Sequence, residues 1–94
     1  MYDFYIDPTR SWLRVSVSEL LRLDLIDQIT AFSYMKDDVV FLESDCDAAV
    51  FIAAKRNHGE KVIFKDHTTK RNSRIRKYSP YSQQKALQCC ALAT

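Results

Sequence analysis

Residues 48 to 54, Ala-Ala-Val-Phe-Ile-Ala-Ala, are apolar without interruption and stand between a helix start and a helix stop. Ser44-Asp45-Cys46-Asp47 precedes them. Ser44 or Asp45 can accept from the orphan amides of a first turn, and the two aspartates favour the positive end of the helix dipole. Lys55 and Arg56 fall in the last turn, and Asn57-His58-Gly59 ends it, with the chain's single glycine able to take the left-handed conformation. A helix that is apolar almost all round needs cover on more than one side, and sheet is the expected cover. The 94 residues make one domain, which buries only roughly 60 to 65% of its unfolded surface, so the remaining elements must assemble around this helix.

Those elements read as short strands and one more helix. Tyr2 to Ile6 alternates and is aromatic-rich, Asp7-Pro8-Thr9 is a turn signal, and Trp12, Leu13 and Val15 form a second strand, giving an opening hairpin. Ser16-Val17-Ser18-Glu19 has the form of a capping box, followed by Leu20, Leu21, Leu23 and Leu25 on a short helix that ends near Asp24 to Asp27. Ile29 to Met35 and Val39 to Glu43 are strand-like around Lys36-Asp37-Asp38, a second hairpin. Lys61 to Lys65 is a fifth strand. The order β-β-α-β-β-α-β predicts an α+β domain: a mostly antiparallel sheet of about five strands with two helices on one face. Trp12, Leu20, Leu23, Phe41, Val50, Phe51, Ala53 and Phe64 are expected in a single core. Residues 1 to 66 form the compact domain on this reading, 67 to 81 a basic arm, and 82 to 94 a weakly patterned tail that is helical only if packed.

Charge divides along the chain. Residues 1 to 50 carry ten acids and four bases, net −6, and residues 51 to 94 carry ten bases and two acids, net +8, which together give the formal +2. Opposed blocks of charge speak about partners more than about fold. Lys70, Arg71, Arg74, Arg76 and Lys77 lie within eight residues, with Tyr78 and Tyr81 following. Guanidinium groups grip phosphates in pairs of hydrogen bonds and tyrosines stack on unpaired bases, so this segment is a candidate contact for nucleic acid or for a protein. It also suits a solvated arm or an internal counter-charge. The acidic residues Asp37, Asp38, Glu43, Asp45 and Asp47, at a hairpin tip and the nearby helix start, are a second candidate if they gather in space, where they would suit a groove evolved for phosphates. Opposed patches also permit a homodimer.

Catalytic and cofactor chemistry finds no foothold. Cys46 is the one plausible nucleophile, but Asp45 and Asp47 disfavour a thiolate and neither His58 nor His67 is in a recognisable setting as its base. It is expected to be a packed thiol. His58, His67, Cys89 and Cys90 lack zinc spacing, the acidic cluster lacks a calcium loop's glycine, and one glycine in the chain excludes a phosphate-cradling loop. No metal and no cofactor are expected. Three cysteines, two of them adjacent, build no disulfide framework and point to reduced thiols in the cytoplasm. The opening residues show no secretory signal, and the apolar runs are far below the ~18 residues of a membrane span, so no membrane partner is expected.

Trp12-Leu13-Arg14-Val15, Ser33-Tyr34, Phe41-Leu42-Glu43-Ser44-Asp45-Cys46-Asp47-Ala48 and Asn72-Ser73-Arg74-Ile75-Arg76 together resemble a group of small uncharacterised bacterial proteins found on phages and plasmids. The resemblance spans residues 10 to 78, and its acidic Asp-Cys-Asp-Ala block is its most specific part. Where that pattern has glycine and histidine before the tryptophan, this chain has Arg10-Ser11. The resemblance implies a mobile-element setting. It leads to the expectation of a small non-enzymatic inhibitor, anti-CRISPR-like or antirestriction-like, that binds a host defence protein or nucleoprotein complex. A nucleic-acid-binding module using residues 70 to 77 is the alternative, and an enzyme of unrecognised type the third reading.

Overall fold

The computed structural model describes residues 1–93, with side chains through Cys89. The part of the expected tail formed by Thr94, and the thiol of Cys90, lie outside the described residues. Two strands open the chain, β1 (Tyr2–Ile6) and β2 (Ser11–Ser16), followed by helix α1 (Val17–Arg22). Strands β3 (Tyr34–Lys36) and β4 (Val39–Glu43) come next, then helix α2 (Asp47–Asn57) and strand β5 (Phe64–Thr68). A 3-10 turn (Arg74–Lys77), the two-residue strand β6 (Ser79–Pro80) and helix α3 (Gln83–Ala93) complete it.

The α+β class holds, but the sheet is larger than expected and mixed. Six strands lie in the order β5-β1-β2-β4-β3-β6. Every neighbouring pair is antiparallel except β1 and β5, which run parallel with Tyr2 opposite Phe64 and Ile6 opposite Thr68. The parallel pair follows from α2. A helix between two strands returns the chain to the edge where it started, so β5 leaves in the direction of β4 and therefore of β1. The sixth strand is contributed by Ser79 and Pro80, which pair with Met35 and Tyr34.

Strand alternation divides the apolar residues between the two faces. Leu13, Val15, Met35, Val40 and Leu42 share one core with Leu20 of α1 and Leu23 just after it, Ala48 and Phe51 of α2, and Ala86 of α3. Trp12, Phe41 and Ile75 form a second core on the other face, with Tyr5, Tyr34, Val39 and Tyr78 packed against it. The expected single core is thus two. Trp12 and Phe41 are one residue out of phase with Leu13 and Leu42, and a period of two sends neighbours to opposite faces. Two further members fail for other reasons: Ala53 is exposed on the outer side of α2, and Phe64 lies 44% exposed on the edge strand. The Nε1 of Trp12 is buried without an acceptor among the described residues.

Helix α2 lies on one face only. Ala48, Phe51 and Lys55 are buried, while Ala49 and Ala53 face outward, where their single methyl groups cost little. The helix begins later than the serine signal implies. Cys46 occupies the cap position without a side-chain cap bond, because Ser44 Oγ accepts from Ser11 Oγ (2.8 Å) and the Glu43 carboxylate takes the Asp45 amide (3.1 Å). At the other end Gly59, at φ +74°, closes the helix as expected. The S-x-x-E signal of α1 is half used: Ser16 Oγ accepts from the Glu19 amide (3.1 Å). The Glu19 carboxylate turns instead to Tyr2 Oη (2.9 Å), Lys55 Nζ (2.9 Å) and Arg22 Nη2 (3.0 Å). Arg22 foremost, with Lys55 and Tyr2, holds Glu19 down at about 2.

The expected strand over Ile29 to Met35 shrinks to Tyr34–Lys36, since residues 30 to 33 are wound into a turn by Asp47. Its carboxylate accepts from the Thr30 amide (3.0 Å), Thr30 Oγ1 (2.8 Å) and Ser33 Oγ, and Ser33 Oγ in turn accepts from the Glu43 amide (2.9 Å). The β3–β4 hairpin forms as expected, with Asp37 at φ +55° supplying the left-handed residue that the missing glycine would have provided. The last strand of the expected compact domain is shifted, from Lys61–Lys65 to Phe64–Thr68.

Candidate nucleic-acid interface

The segment after β5, expected as a basic arm, is folded across the second face of the sheet. Ile75 is its anchor, buried against Trp12 and Phe41. Asp7 is its clasp. The Asp7 side chain is fully buried and accepts from Arg76 Nε (2.7 Å), Arg76 Nη2 (2.9 Å) and the Ser73 amide (3.1 Å). It also accepts from the Thr9 and Arg10 amides (3.0 and 2.8 Å), so the β1–β2 turn and the arm share one carboxylate. The Arg76 guanidinium beside it, with these amides, holds the Asp7 carboxyl well below the usual carboxylate range. The same guanidinium lies over the Trp12 ring at 5.5 Å and donates to Thr9 Oγ1. Tyr78 then packs on Phe41, ring centroids 5.3 Å apart, and Tyr81 Oη donates to the Ile26 carbonyl.

Between this folded segment and the strands lies an open cleft of about 880 Å³, within the size range of small-molecule sites. Tyr5, Phe41 and Tyr78 give it aromatic surface. Arg14, Lys36, Arg74 and Lys77 line it with four cations, and Asp37 and Asp38 at the hairpin tip with two carboxylates. Each element places its contribution by register. Arg14 stands opposite Phe41, on the side of β2 that also carries Trp12, and His67 stands opposite Tyr5. The His67 ring stacks on Tyr5 (4.9 Å between centroids, 20° between planes), while its Nε2 lies 2.9 Å from Asp3 Oδ1. That hydrogen bond, with Arg14 4.0 Å from the other oxygen, draws the Asp3 carboxyl below its usual value. Lys36 Nζ sits 5.1 Å above the Tyr78 ring.

The basic candidates therefore separate into three groups. Arg74, Lys77 and Tyr78 face the cleft, Lys70 and Arg71 are exposed in the loop leading to it, and Arg76 is spent on Asp7. The acidic candidates do not gather. Asp37 and Asp38 lie at one end of β4, and Glu43 and Asp45 at the other, about 13 Å along the strand at 3.3 Å per residue. Asp47 is buried and committed to Thr30 and Ser33, so it presents no surface. Tyr5, Arg14, Lys36 and His67 were missed by reading the chain as segments. Their one sequence signal is alternation, which puts Tyr5, Arg14 and Lys36 at polar or aromatic phases of their strands, but their convergence needs the strand order.

Cys46 Sγ lies 3.5 Å from Glu43 Oε2 and 3.9 Å from Thr30 Oγ1. Burial first, and the Asp47 charge next, push its thiol up, away from the nucleophilic form. Among the described residues no three His, Cys, Asp or Glu side chains are placed to share a metal ion, and no helix is long and apolar enough to cross a membrane. Compared with protein-family models, curated proteins and solved structures, the chain matches none.

Proposed function

We propose that this protein is a non-catalytic cytoplasmic module that binds nucleic acid in the cleft on the second face of its sheet. One observation carries the reading: four cations, Arg14, Lys36, Arg74 and Lys77, converge from two strands and the folded segment around aromatic surface. Phosphates supply the affinity of such a site through counterion release, and aromatic rings supply sequence-tolerant stacking. Asp37 and Asp38 lower the positive charge of the rim without cancelling it. The test is fluorescence anisotropy with a labelled oligonucleotide across a salt series. Arg74→Ala and Lys77→Ala each weaken binding and lower the salt slope by about 0.7 on a single strand. Binding that is unchanged in the double variant overturns the reading.

A second reading is favoured by the mixed sign of that rim, where Asp37 and Asp38 stand with Lys36 and Lys77. Alternating charges set register between proteins, and suit a mobile-element inhibitor that docks on a host CRISPR effector or restriction enzyme. Capture of such a complex from nuclease-treated lysate, lost on reversing Asp37 and Asp38, supports it. Capture that vanishes with nuclease returns the choice to nucleic acid.

A further inference from the structure

The aromatic cleft does not end at the rim. A second groove, about 580 Å³, begins on the far side of Tyr78, and the two share Lys36, Asp37, Lys77 and Tyr78. Beyond those shared residues the second groove is lined by Met35, Ser79 and, from α3, Lys85, Gln88 and Cys89. The topology explains the join. After Tyr78 the chain pairs with β3 as β6, the edge of the sheet, and then turns into α3, which packs on α1 in the helix layer. The first cleft therefore lies on the open face and the second wraps round the β6 edge toward the helices, with the Tyr78 ring at the bend.

We infer that these grooves form one continuous track for a single-stranded nucleic acid, with Lys85 as a phosphate contact remote from the first cleft; this rests on the nucleic-acid reading of that cleft. Two physical points select this ligand class. A mononucleotide would occupy one groove and leave Lys85 unused. Duplex DNA, with a persistence length of about 150 base pairs, resists a bend on the scale of one sheet edge, whereas a single strand follows it readily. Tyr78, which packs on Phe41 and lies under Lys36, is placed at the bend, where a strand changing direction unstacks and a base can meet this aromatic pair.

The length of the ligand is the readout. Anisotropy titrations use oligothymidylates of about 4 and about 12 nucleotides, both within the range of site sizes for single-strand binders. The substitution is Lys85→Ala, at an exposed position in α3 where the backbone amide, not the side chain, bonds Ser82 Oγ. One lost phosphate contact, at a slope of about 0.7, weakens binding of the long strand about eightfold at about 50 mM salt and about fourfold at about 150 mM. Binding of the short strand, confined to the first cleft, stays as it was. If the long strand binds no better than the short one, or Lys85→Ala leaves it untouched while Arg74→Ala weakens both, the continuous track is wrong and the cleft reading survives. A duplex bound as tightly as the single strand also overturns the track. If neither strand binds, the nucleic-acid reading itself falls.

Discussion

Replacing Asp7 with alanine removes the single carboxylate that ties the folded basic segment to the sheet. The side chain has no exposed surface and accepts from two nitrogens of Arg76 and three backbone amides. Its loss leaves the Arg76 guanidinium without its counter-charge, with Thr9 Oγ1 and the Trp12 ring as its other contacts, and the amides of Thr9, Arg10 and Ser73 without their acceptor. Breaking a buried pair from one side costs about 3 to 5 kcal/mol, and the lower end applies because water still reaches the guanidinium. With a urea slope of about 1 to 1.5 kcal/mol per molar, a loss of about 3 kcal/mol lowers the unfolding midpoint by about 2 to 3 M. Urea melts followed by tryptophan fluorescence are well suited, since Trp12, the only tryptophan, lies beneath Arg76. A double-mutant cycle with Arg76→Ala should be strongly non-additive, because either single change already opens the clasp. Limited trypsin digestion should cut Asp7→Ala, but not the parent, at Arg74 and Arg76. A stability within about 0.5 kcal/mol of the parent, or an additive cycle, refutes the clasp.

Phe51→Ala, in the core beneath the helices, costs about 3 to 5 kcal/mol in a thermal or urea melt, whereas Phe64→Ala on the exposed edge costs about 1 kcal/mol. Acid weakens the fold: Glu19 and Asp7 both titrate lower in the native state than when unfolded, so their stabilisation is complete above about pH 5 and is lost as pH falls. For Glu19 the loss runs from 4.5 down to about 2, and melts from pH 6 to pH 2 should show a decline that Asp7→Asn makes shallower. Cys46 alkylates slowly at neutral pH until the chain is unfolded, and Cys46→Ser leaves oligonucleotide binding unchanged.

Local chemistry carried much of the fold into view. The caps at Ser16 and Gly59, the hairpin around Asp37-Asp38 and the apolar run of α2 each follow from residues within a few positions of one another. What escaped depends on distant partners. The turn over residues 30 to 33 has a strand-like sequence and is shaped by Asp47, fourteen or more residues away. The segment from Ser73 to Tyr78 reads as a solvated arm because its bases outnumber its one aliphatic residue, Ile75. Its folding back is decided by Asp7, 69 residues earlier than Arg76. The candidate site was legible only in part for the same reason. Arg74, Lys77 and Tyr78 announce themselves as a basic cluster, but Arg14 and Lys36 join them only through the order β1-β2-β4-β3, which composition does not encode.

Binding of nucleic acid on the open face of the sheet is read out residue by residue when isotopically labelled protein is titrated with oligothymidylate and its backbone amide shifts are followed. Saturable shifts are expected at Tyr5, Arg14, Lys36, Phe41, Arg74 and Tyr78, with Ala49 and Ala53 on the outer side of α2 unmoved. Shifts confined to α2, or none at an excess of oligonucleotide, would contradict it.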